Sequence, residues 1–257
     1  KTLSILSALC ILLLSLSFAG CGSKETANDQ GKADMSNTLV YAGESESTIN
    51  PLLNNHEELP DIIFSGLIGG LTNPQRLSNT FQSVKNVSIS SATIKKYIEC
   101  LSDAFLLESC NRYDVKGRKY IGTPLKYYFS DLGIRNALLG FRQQEKTHLM
   151  ENAVYNELCA RGYSVDVGNV EVNTVDEKGT KVRRMLEVDF VCNRGYKRCY
   201  IQSALSLPDR EKMQQESASL LRIDDSFMKY VITGDRINKY QNDDGIVIMN
   251  VLDFLLD

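Results

Sequence analysis

The sequence predicts a protein of the mixed α/β class, α+β overall, in which helices cover the faces of a mixed sheet. Three observations predict this class: apolar residues at helical spacing from residue 94 to 105, alternating segments that turn at Lys116–Gly117, and a strand hairpin at 186–207 followed by a helix and another strand. With 257 residues, of which 43% are hydrophobic, the chain can bury the core that such a sheet needs.

The composition by itself names no partner. A formal net charge of −3 produces no basic field over the whole surface, so binding to nucleic acid would require a local basic patch. Five of the seven cysteines follow residue 70, and their spacing matches neither CxxC nor a His-linked zinc motif. We therefore expect reduced, buried thiols of the kind found in cytoplasmic domains, rather than disulfides or a zinc site.

The N-terminus has the features of an export signal. Lys1 precedes an apolar run from Leu3 to Phe18, and two small residues stand directly before Cys21. The run is shorter than the ~20 residues of a membrane span, and the small residues form a cleavage site, so residues 1–20 resemble a bacterial lipoprotein signal peptide. The resemblance implies export and membrane anchoring through a lipidated Cys21; a plain signal anchor is the alternative.

The next segments differ from the rest of the chain. Residues 21–37 are polar and too poor in apolar groups to fold, which predicts a flexible tether. Residues 38–70, with the stretch TINPLLNNHEELPDIIFSGL, resemble the opening of the extracytoplasmic nickel- and peptide-binding proteins of ABC transporters. No two-lobed pattern follows. Either the chain is a genuine fusion near Gly69–Gly70, or unrelated sequences are joined there, and the contrast in compartment favours the second.

Residues 71–147 predict a winged-helix module. Ile94, Ile98 and Leu101 lie at helical spacing, continued by Tyr97 and Phe105, with Ser90 or Ser91 as the N-cap. A predicted hairpin follows, and helices followed by a two-stranded wing are typical of this module. Six basic residues are the candidate DNA contacts: Lys95, Lys96, Arg112, Lys116, Arg118 and Lys119.

A winged helix can place one helix in the major groove and its wing along the phosphates, so double-stranded DNA is the expected partner. Acidic residues lie in the same region, among them Glu99 and Asp114. They leave open a packing module whose basic faces are simply solvated and whose partners are other proteins.

Residues 148–257 predict a sheet with helices on both faces. An apolar helical face from Leu149 to Cys159 ends at Arg161-Gly162, and the stretch YSVDVGNVEV reads as a strand. The hairpin at 186–207 is followed by a helix at about 209–221, a strand, and a last strand that runs into a closing helix. Strand hairpins followed by a helical crossover imply a mixed sheet.

The segments TIKKYIECLSDAFLLESCNRYDVKGRKYIGTPLKYYFSDLGIRNALLGF, LMENAVYNELCARGY, EVDFV and YIQSA are together similar to the C-terminal half of a large uncharacterised family of prokaryotic AAA-type ATPases. In that family a nucleotide-binding domain precedes a winged helix and a restriction-endonuclease-like PD-(D/E)xK fold. The resemblance covers the chain from about residue 71 onward. It implies a winged helix at 71–147 and a nuclease-like domain at 148–257.

The resemblance also assigns the nuclease positions. A PD-(D/E)xK site holds Mg²⁺ with a helix Glu, a strand Asp and a second strand acid, and a Lys two residues later positions the attacking water. Glu151 matches the helix acid and Asp189 matches the strand Asp, which makes both weak candidate metal ligands. Gln202 replaces the second acid and Ala204 replaces the Lys, so the site is degenerate and no catalytic residue is assigned.

Two lysines are candidate replacements for the missing cation. Lys197 lies an odd number of residues from Gln202 and therefore on the opposite face of an extended strand. Lys212 on the following helix is the remaining candidate. Because the chain contains no GxxxxGK[ST] motif, no nucleotide is expected to bind.

Three functions follow as hypotheses. The leading one is a non-catalytic interaction or DNA-associating module that uses no cofactor. The second is an active DNA nuclease with a displaced lysine, which would require Mg²⁺. The third, which rests on the N-terminus alone, is a truncated solute-binding lipoprotein of an ABC transporter.

Overall fold

The computed structural model describes residues 63, 66, 67, 69–141, 145–175 and 179–256. The predicted signal peptide, Cys21, the tether and most of the segment at 38–70 lie outside the described residues. All five cysteines after residue 70 are free thiols: Cys100, Cys110, Cys159, Cys192 and Cys199.

The described chain contains six α-helices and eight strands, which confirms the α+β class. In chain order they are α1 (Pro74–Lys85), α2 (Ser91–Asp103), β1 (Leu107–Asp114), β2 (Lys119–Phe129), α3 (Leu132–Leu138), α4 (Lys146–Ala160), β3 (Ser164–Val175), β4 (Lys181–Arg194), β5 (Lys197–Ala204), α5 (Arg210–Ser217), β6 (Met228–Thr233), β7 (Tyr240–Gln241), β8 (Val247–Asn250) and α6 (Val251–Leu256). A short 3-10 helix, Leu220–Arg222, follows α5.

All eight strands belong to one mixed sheet with the order β2-β1-β3-β4-β5-β6-β8-β7. The β1–β2 hairpin, predicted as a wing, joins this sheet because β1 pairs in parallel with β3 from Arg112↔Val167 to Asp114↔Asn169. The sheet therefore crosses the predicted boundary between residues 147 and 148. The winged-helix identity of residues 71–147 stays a prediction.

The first two helices begin at polar caps that the sequence encodes. The Asn73 side chain accepts a hydrogen bond from the Arg76 backbone at the start of α1, and the hydroxyl of Ser90 accepts one from the Thr93 backbone at the start of α2. Phe105 was expected on the apolar face of α2, but it is exposed. The helix ends at Asp103, and the left-handed backbone of Phe105, with φ of 56°, directs the chain into β1.

Three apolar clusters hold the layers together. The first joins α1 and α2 to the outer hairpin through Leu77, Phe81, Ile94 and Phe129, and it includes the buried Leu67. The second lies between the sheet and helices α4 and α6, and contains Tyr128, Val154, Tyr155, Leu158, Phe190 and Ile201. The third covers the opposite face beneath the 3-10 helix, with Val188, Val191, Tyr200, Ala204 and Leu220.

A β-bulge in β4 allows Asp189 to face α4. The partners of β3 shift from Asp166↔Val191 to Gly168↔Val188, so Asp189 and Phe190 both lie opposite the single residue Val167. A bulge of this kind changes the direction of a side chain without breaking the sheet. Close approach at the bulge requires glycine, because a Cβ on Gly168 would lie 2.8 Å from both the Cβ of Val188 and a methyl carbon of Val191.

We expect Gly168→Ala to lower the free energy of unfolding by about 1–3 kcal/mol, because the added methyl group overpacks the bulge. Gly122→Ala on β2 is the matched control, since a Cβ there meets nothing within 4 Å. Denaturant unfolding of the two variants is the measurement. Equal stability of both would show that β4 does not hold this bulge in solution.

Candidate functional site

Lys126 on β2 is buried at the centre of an acidic cluster, which we define as Glu151, Glu187 and Asp189. Only 2% of the lysine surface is exposed. Its Nζ lies 2.7 Å from Oε1 of Glu151, 2.8 Å from Oε1 of Glu187 and 3.9 Å from Oδ1 of Asp189. One ammonium group is thus shared by three carboxyl groups from two other elements.

Strand alternation places the lysine on this face. Tyr127 and Phe129 point into the cluster beneath α1 and α2, so Lys126 and Tyr128 point toward α4. The Tyr128 hydroxyl donates a hydrogen bond of 2.7 Å to the same Glu151 oxygen that Lys126 contacts. Its ring stacks on Tyr155 of α4 at a centroid distance of 4.0 Å. The position of Glu151 is therefore held by β2 from two directions.

Strand β4 supplies the other two acids. Glu187 and Asp189 are two residues apart and lie on one face of the strand, as their shared contact with Lys126 shows. The backbone N–H of Ser203 on β5 donates a hydrogen bond of 2.8 Å to Oδ2 of Asp189. The hydroxyl of Ser203 is buried and makes no hydrogen bond within the described part of the chain.

Burial sets the protonation of this cluster. Burial lowers the pKa of Lys126, but Glu151, Asp189 and Glu187 outweigh it and raise the pKa overall, so the ammonium form persists. Burial and the nearby Glu151 carboxylate raise the pKa of Asp189 to about 8, although Lys126 acts in the opposite direction. Lys126 therefore stays charged, whereas burial favours the protonated form of Asp189.

The side chains of Gln202 and Ala204, the positions assigned to the second acid and the lysine, make no contact with the carboxyl groups of the cluster in the described part of the chain. Ala204 packs in the apolar cluster on the opposite face of the sheet, together with Tyr200. The Gln202 side-chain oxygen accepts hydrogen bonds from the Asp189 backbone N–H at 3.4 Å and from the Ser219 hydroxyl at 3.3 Å. The structure thus brings Glu151 and Asp189 together and uses Gln202 to hold the backbone of the bulge.

The candidate replacement lysines, Lys212 and Lys197, also lie outside the acidic cluster. Lys212 pairs with Glu216 one turn later on α5 at 2.5 Å, and Lys197 is exposed at the start of β5. Sequence reasoning missed Lys126 because it searched near the hairpin at 186–207. The available signal was a lysine inside the apolar run LKYYF, at an inward position of a strand, where a charged side chain requires a buried partner.

The residues do not fit a divalent metal in this arrangement. The Nζ of Lys126 already contacts the Glu151 and Glu187 oxygens at hydrogen-bond distance, which is where a cation shared by these acids would lie. The described residues contain no group of three or more His, Cys, Asp or Glu side chains placed to hold a metal ion. Chemically, the cluster can keep a charge network buried and can exchange a proton at Asp189.

The six candidate DNA contacts are divided between two places. Lys95 and Lys96 are exposed on α2, where Lys95 pairs with Glu99 at 3.6 Å. The hairpin residues are partly engaged with β3: Arg112 donates to the Asn169 side chain at 3.0 Å, and Lys116 donates to the Glu171 carbonyl at 3.0 Å. Arg118 and Lys119 are exposed at the β1–β2 turn.

Comparison with known proteins gives a partial family match. Residues 63–145 match a family model described as a domain of unknown function, DUF8612. The match begins before the predicted junction near Gly69–Gly70. Ile63 and Leu67, which precede that junction, pack in the same apolar cluster as Leu77, which follows it.

The chain is also 35% identical over 189 residues to an uncharacterised protein of Haemophilus influenzae, strain Rd. The matched region is 74% of this chain but only 43% of that relative, so the chain spans less than half of the length of the curated relative. No solved structure matches the chain.

We expect Lys126→Met to lower the free energy of unfolding by about 3–5 kcal/mol, because it leaves buried acids without their cation. Adding Glu151→Gln to that variant should recover part of the loss, since it removes one of the uncompensated acids. Lys95→Met is the matched control, because it breaks an exposed pair worth less than about 1 kcal/mol. Denaturant unfolding is the measurement, and a Lys126→Met variant as stable as the parent protein would exclude the buried ion cluster.

Asp189 should also make stability depend on pH. Its folded-state pKa, about 8, lies above the ordinary value of 3.8, so the folded protein retains a proton that the unfolded chain releases. The stabilising contribution is complete below about pH 4 and is lost as the pH rises through about 8. Asp189→Asn removes this dependence while keeping an oxygen that accepts the Ser203 N–H.

Urea unfolding between about pH 5 and pH 8.5 measures this effect. Asp235→Asn is the control, because a hydrogen bond from the Leu207 backbone lowers the pKa of Asp235 and places its titration below this range. Equal pH slopes for the parent protein and Asp189→Asn would contradict the prediction.

Proposed function

We propose that residues 71–256 form a non-catalytic, DNA-associating module built on a nuclease-like sheet. The observation that carries the non-catalytic part is the position of Lys126, whose ammonium group contacts Glu151 and Glu187 at 2.7 and 2.8 Å. The lysine supplies the positive charge that a metal would bring to these acids. A lysine whose ammonium group is paired with these acids balances their charge but does not generate a hydroxide from a bound water as a metal does.

The burial of the cluster supports the same proposal. Lys126, Glu151 and Asp189 are all buried, with 2%, 6% and 7% of their surfaces exposed. A scissile phosphate would need direct access to the acids and to the attacking water. In this arrangement the acids contact protein groups instead, and their energetic role is to join β2, α4 and β4.

The association with DNA rests on exposed positive charge away from the cluster. Arg118 and Lys119 lie at the β1–β2 turn, and Lys95 and Lys96 lie on α2. Contacts from such residues to phosphates give affinity without sequence preference and make it sensitive to salt. In this proposal the acidic cluster has a structural role and the basic residues bind the DNA phosphates. The nuclease-like fold then acts as a scaffold for those basic residues. Protein partners remain a second use of the same scaffold.

A nuclease with a displaced lysine is the second candidate, and Lys126 itself is the observation that favours it. A lysine now lies beside Glu151 and Asp189, although it comes from β2 instead of β5. For this candidate to hold, the lysine would have to release Glu151 and Glu187 so that Mg²⁺ could bind, and the cluster would have to open to solvent.

The wider resemblance also enters as a proposal. We infer a relationship to the C-terminal half of AAA-type ATPases from the sequence motifs alone. The solute-binding lipoprotein alternative depends on residues outside those described. Within the described residues, no helix is long and apolar enough to span a membrane.

Incubation of the protein with duplex DNA tests the proposal, and we expect binding without cleavage. The logarithm of the affinity should fall linearly with the logarithm of the salt concentration, because phosphate contacts release counterions. Fluorescence anisotropy measures binding, and gel analysis after incubation with Mg²⁺ or Mn²⁺ measures cleavage.

Two results would overturn the proposal. Metal-dependent cleavage that is abolished by Asp189→Asn, but retained in Asp235→Asn, would establish the displaced-lysine nuclease. Absence of nucleic-acid binding even at low salt would remove the DNA-associating part and leave a module that binds proteins.

A further inference from the structure

A cleft opens at the end of the sheet where three connections meet. It is a cavity of about 820 Å³ between the β1–β2 turn, the β4–β5 turn and the segment at 222–227. A second cavity of about 400 Å³ shares Tyr196, Lys197, Arg198 and Phe227 with the first, so the two adjoin each other. We refer to both together as the turn cleft. None of the acidic-cluster residues lines it.

The turn cleft is basic in a protein that is acidic overall. Five cationic and two anionic side chains line the larger cavity, which leaves a local excess of three positive charges: Lys116, Arg118, Lys197, Arg198 and Arg222 against Asp224 and Asp225. One of the anions is already engaged, because Asp225 accepts a hydrogen bond of 2.6 Å from the Tyr200 hydroxyl. Positive side chains in a concave surface concentrate the field that attracts an anionic ligand.

Aromatic rings alternate with these charges. Tyr196, at the tip of the β4–β5 turn, is 90% exposed, and Phe227 on the opposite side is 40% exposed. The Arg198 guanidinium, which also lines the cleft, lies 5.6 Å from the Tyr113 ring centroid and 5.7 Å from that of Phe227. The Arg198 Nε also donates a hydrogen bond of 2.7 Å to the Asn193 side chain, which fixes its orientation. A large ring left almost wholly in water at such a site is available for stacking.

We propose that the turn cleft binds single-stranded nucleic acid. Single-strand binding requires two components, aromatic rings that face solvent and cations beside them. Unstacked bases stack on the rings, and the cations contact the phosphates. A duplex offers phosphates but no free base faces, so it would use the charges and leave Tyr196 and Phe227 without a partner. An acidic peptide would likewise use the charges, and it is one of the outcomes that the test separates.

This inference rests on the proposed function, which supplies nucleic acid as the class of ligand. It adds that the ligand is single-stranded and that it binds in the turn cleft. Lys116 reaches from the β1–β2 turn to the Glu171 carbonyl at 3.0 Å, and this contact holds the turn against the sheet as one wall of the cleft. The predicted wing thus contributes to a groove together with the β4–β5 turn.

The experiment titrates the full chain against fluorescein-labelled oligothymidine of about 12 nucleotides, within the range that single-strand sites cover. We expect saturable binding at low salt and a loss of affinity of about tenfold or more in Tyr196→Ala, because one base–aromatic stack is removed. Tyr196→Phe should keep most of the affinity, since it keeps the ring. Tyr240→Ala is the matched control, as an exposed tyrosine on β7 that lines neither cavity.

Competition with an unlabelled duplex of equal length and with a polyglutamate peptide separates the outcomes. Single-strand binding that depends on the Tyr196 ring supports the inference, whether or not the duplex also binds. Duplex binding with equal affinities for Tyr196→Ala and Tyr240→Ala overturns the inference and leaves the proposed function standing. Absence of any nucleic-acid binding overturns both, and a fluorescein-labelled polyglutamate peptide that still binds would then identify an acidic protein partner.

Discussion

The ion pairs of Lys126 are the interaction on which the arrangement of this sheet depends. Strands β1 and β3 lie between β2 and β4, so only a long side chain can cross from β2 to the acids of β4, and lysine does so with an apolar stem and a charged end. The ammonium group then allows the buried Glu151 and Asp189 to lie close together, with the partly exposed Glu187 beside them. Without that cation, each ionised acid would carry an uncompensated desolvation penalty of several kcal/mol.

The same contacts explain why two segments that read as separate modules in the sequence form one layer. Lys126 and Tyr128 come from the segment that matches the domain of unknown function, whereas Glu151 and Asp189 come from the part that follows it. Strand β1 adds a backbone connection through its parallel pairing with β3. Both a buried charge network and a hydrogen-bond ladder therefore cross the segment boundary, and each part completes the core of the other.

The buried acids and the exposed cations of this molecule lie in different places. Glu151 and Asp189 are buried beside Lys126, whereas Lys116, Arg118 and Lys197 of the turn cleft lie in contact with water near Tyr196 and Phe227. Electrostatic attraction of an anionic polymer depends on the exposed charges. The proposed scaffold, in which the acids are structural and another surface binds the ligand, is argued from that separation.

The sequence by itself determined the local elements, because each of them depends on neighbouring residues. Examples are the helix cap at Ser90, the alternation of LKYYF and the hairpin at 186–207. The sequence motifs also pointed to Glu151 and Asp189, and both side chains contact Lys126 in the folded protein. Tertiary structure alone decided what joins them, because Lys126 is distant in sequence from Asp189 and a bulge sets the direction of that aspartate. Only the folded sheet could turn Gln202 and Ala204 away, since strand faces depend on the register with neighbouring strands. It likewise decided that Arg118, Tyr196 and Phe227, from three separate connections, line one cleft.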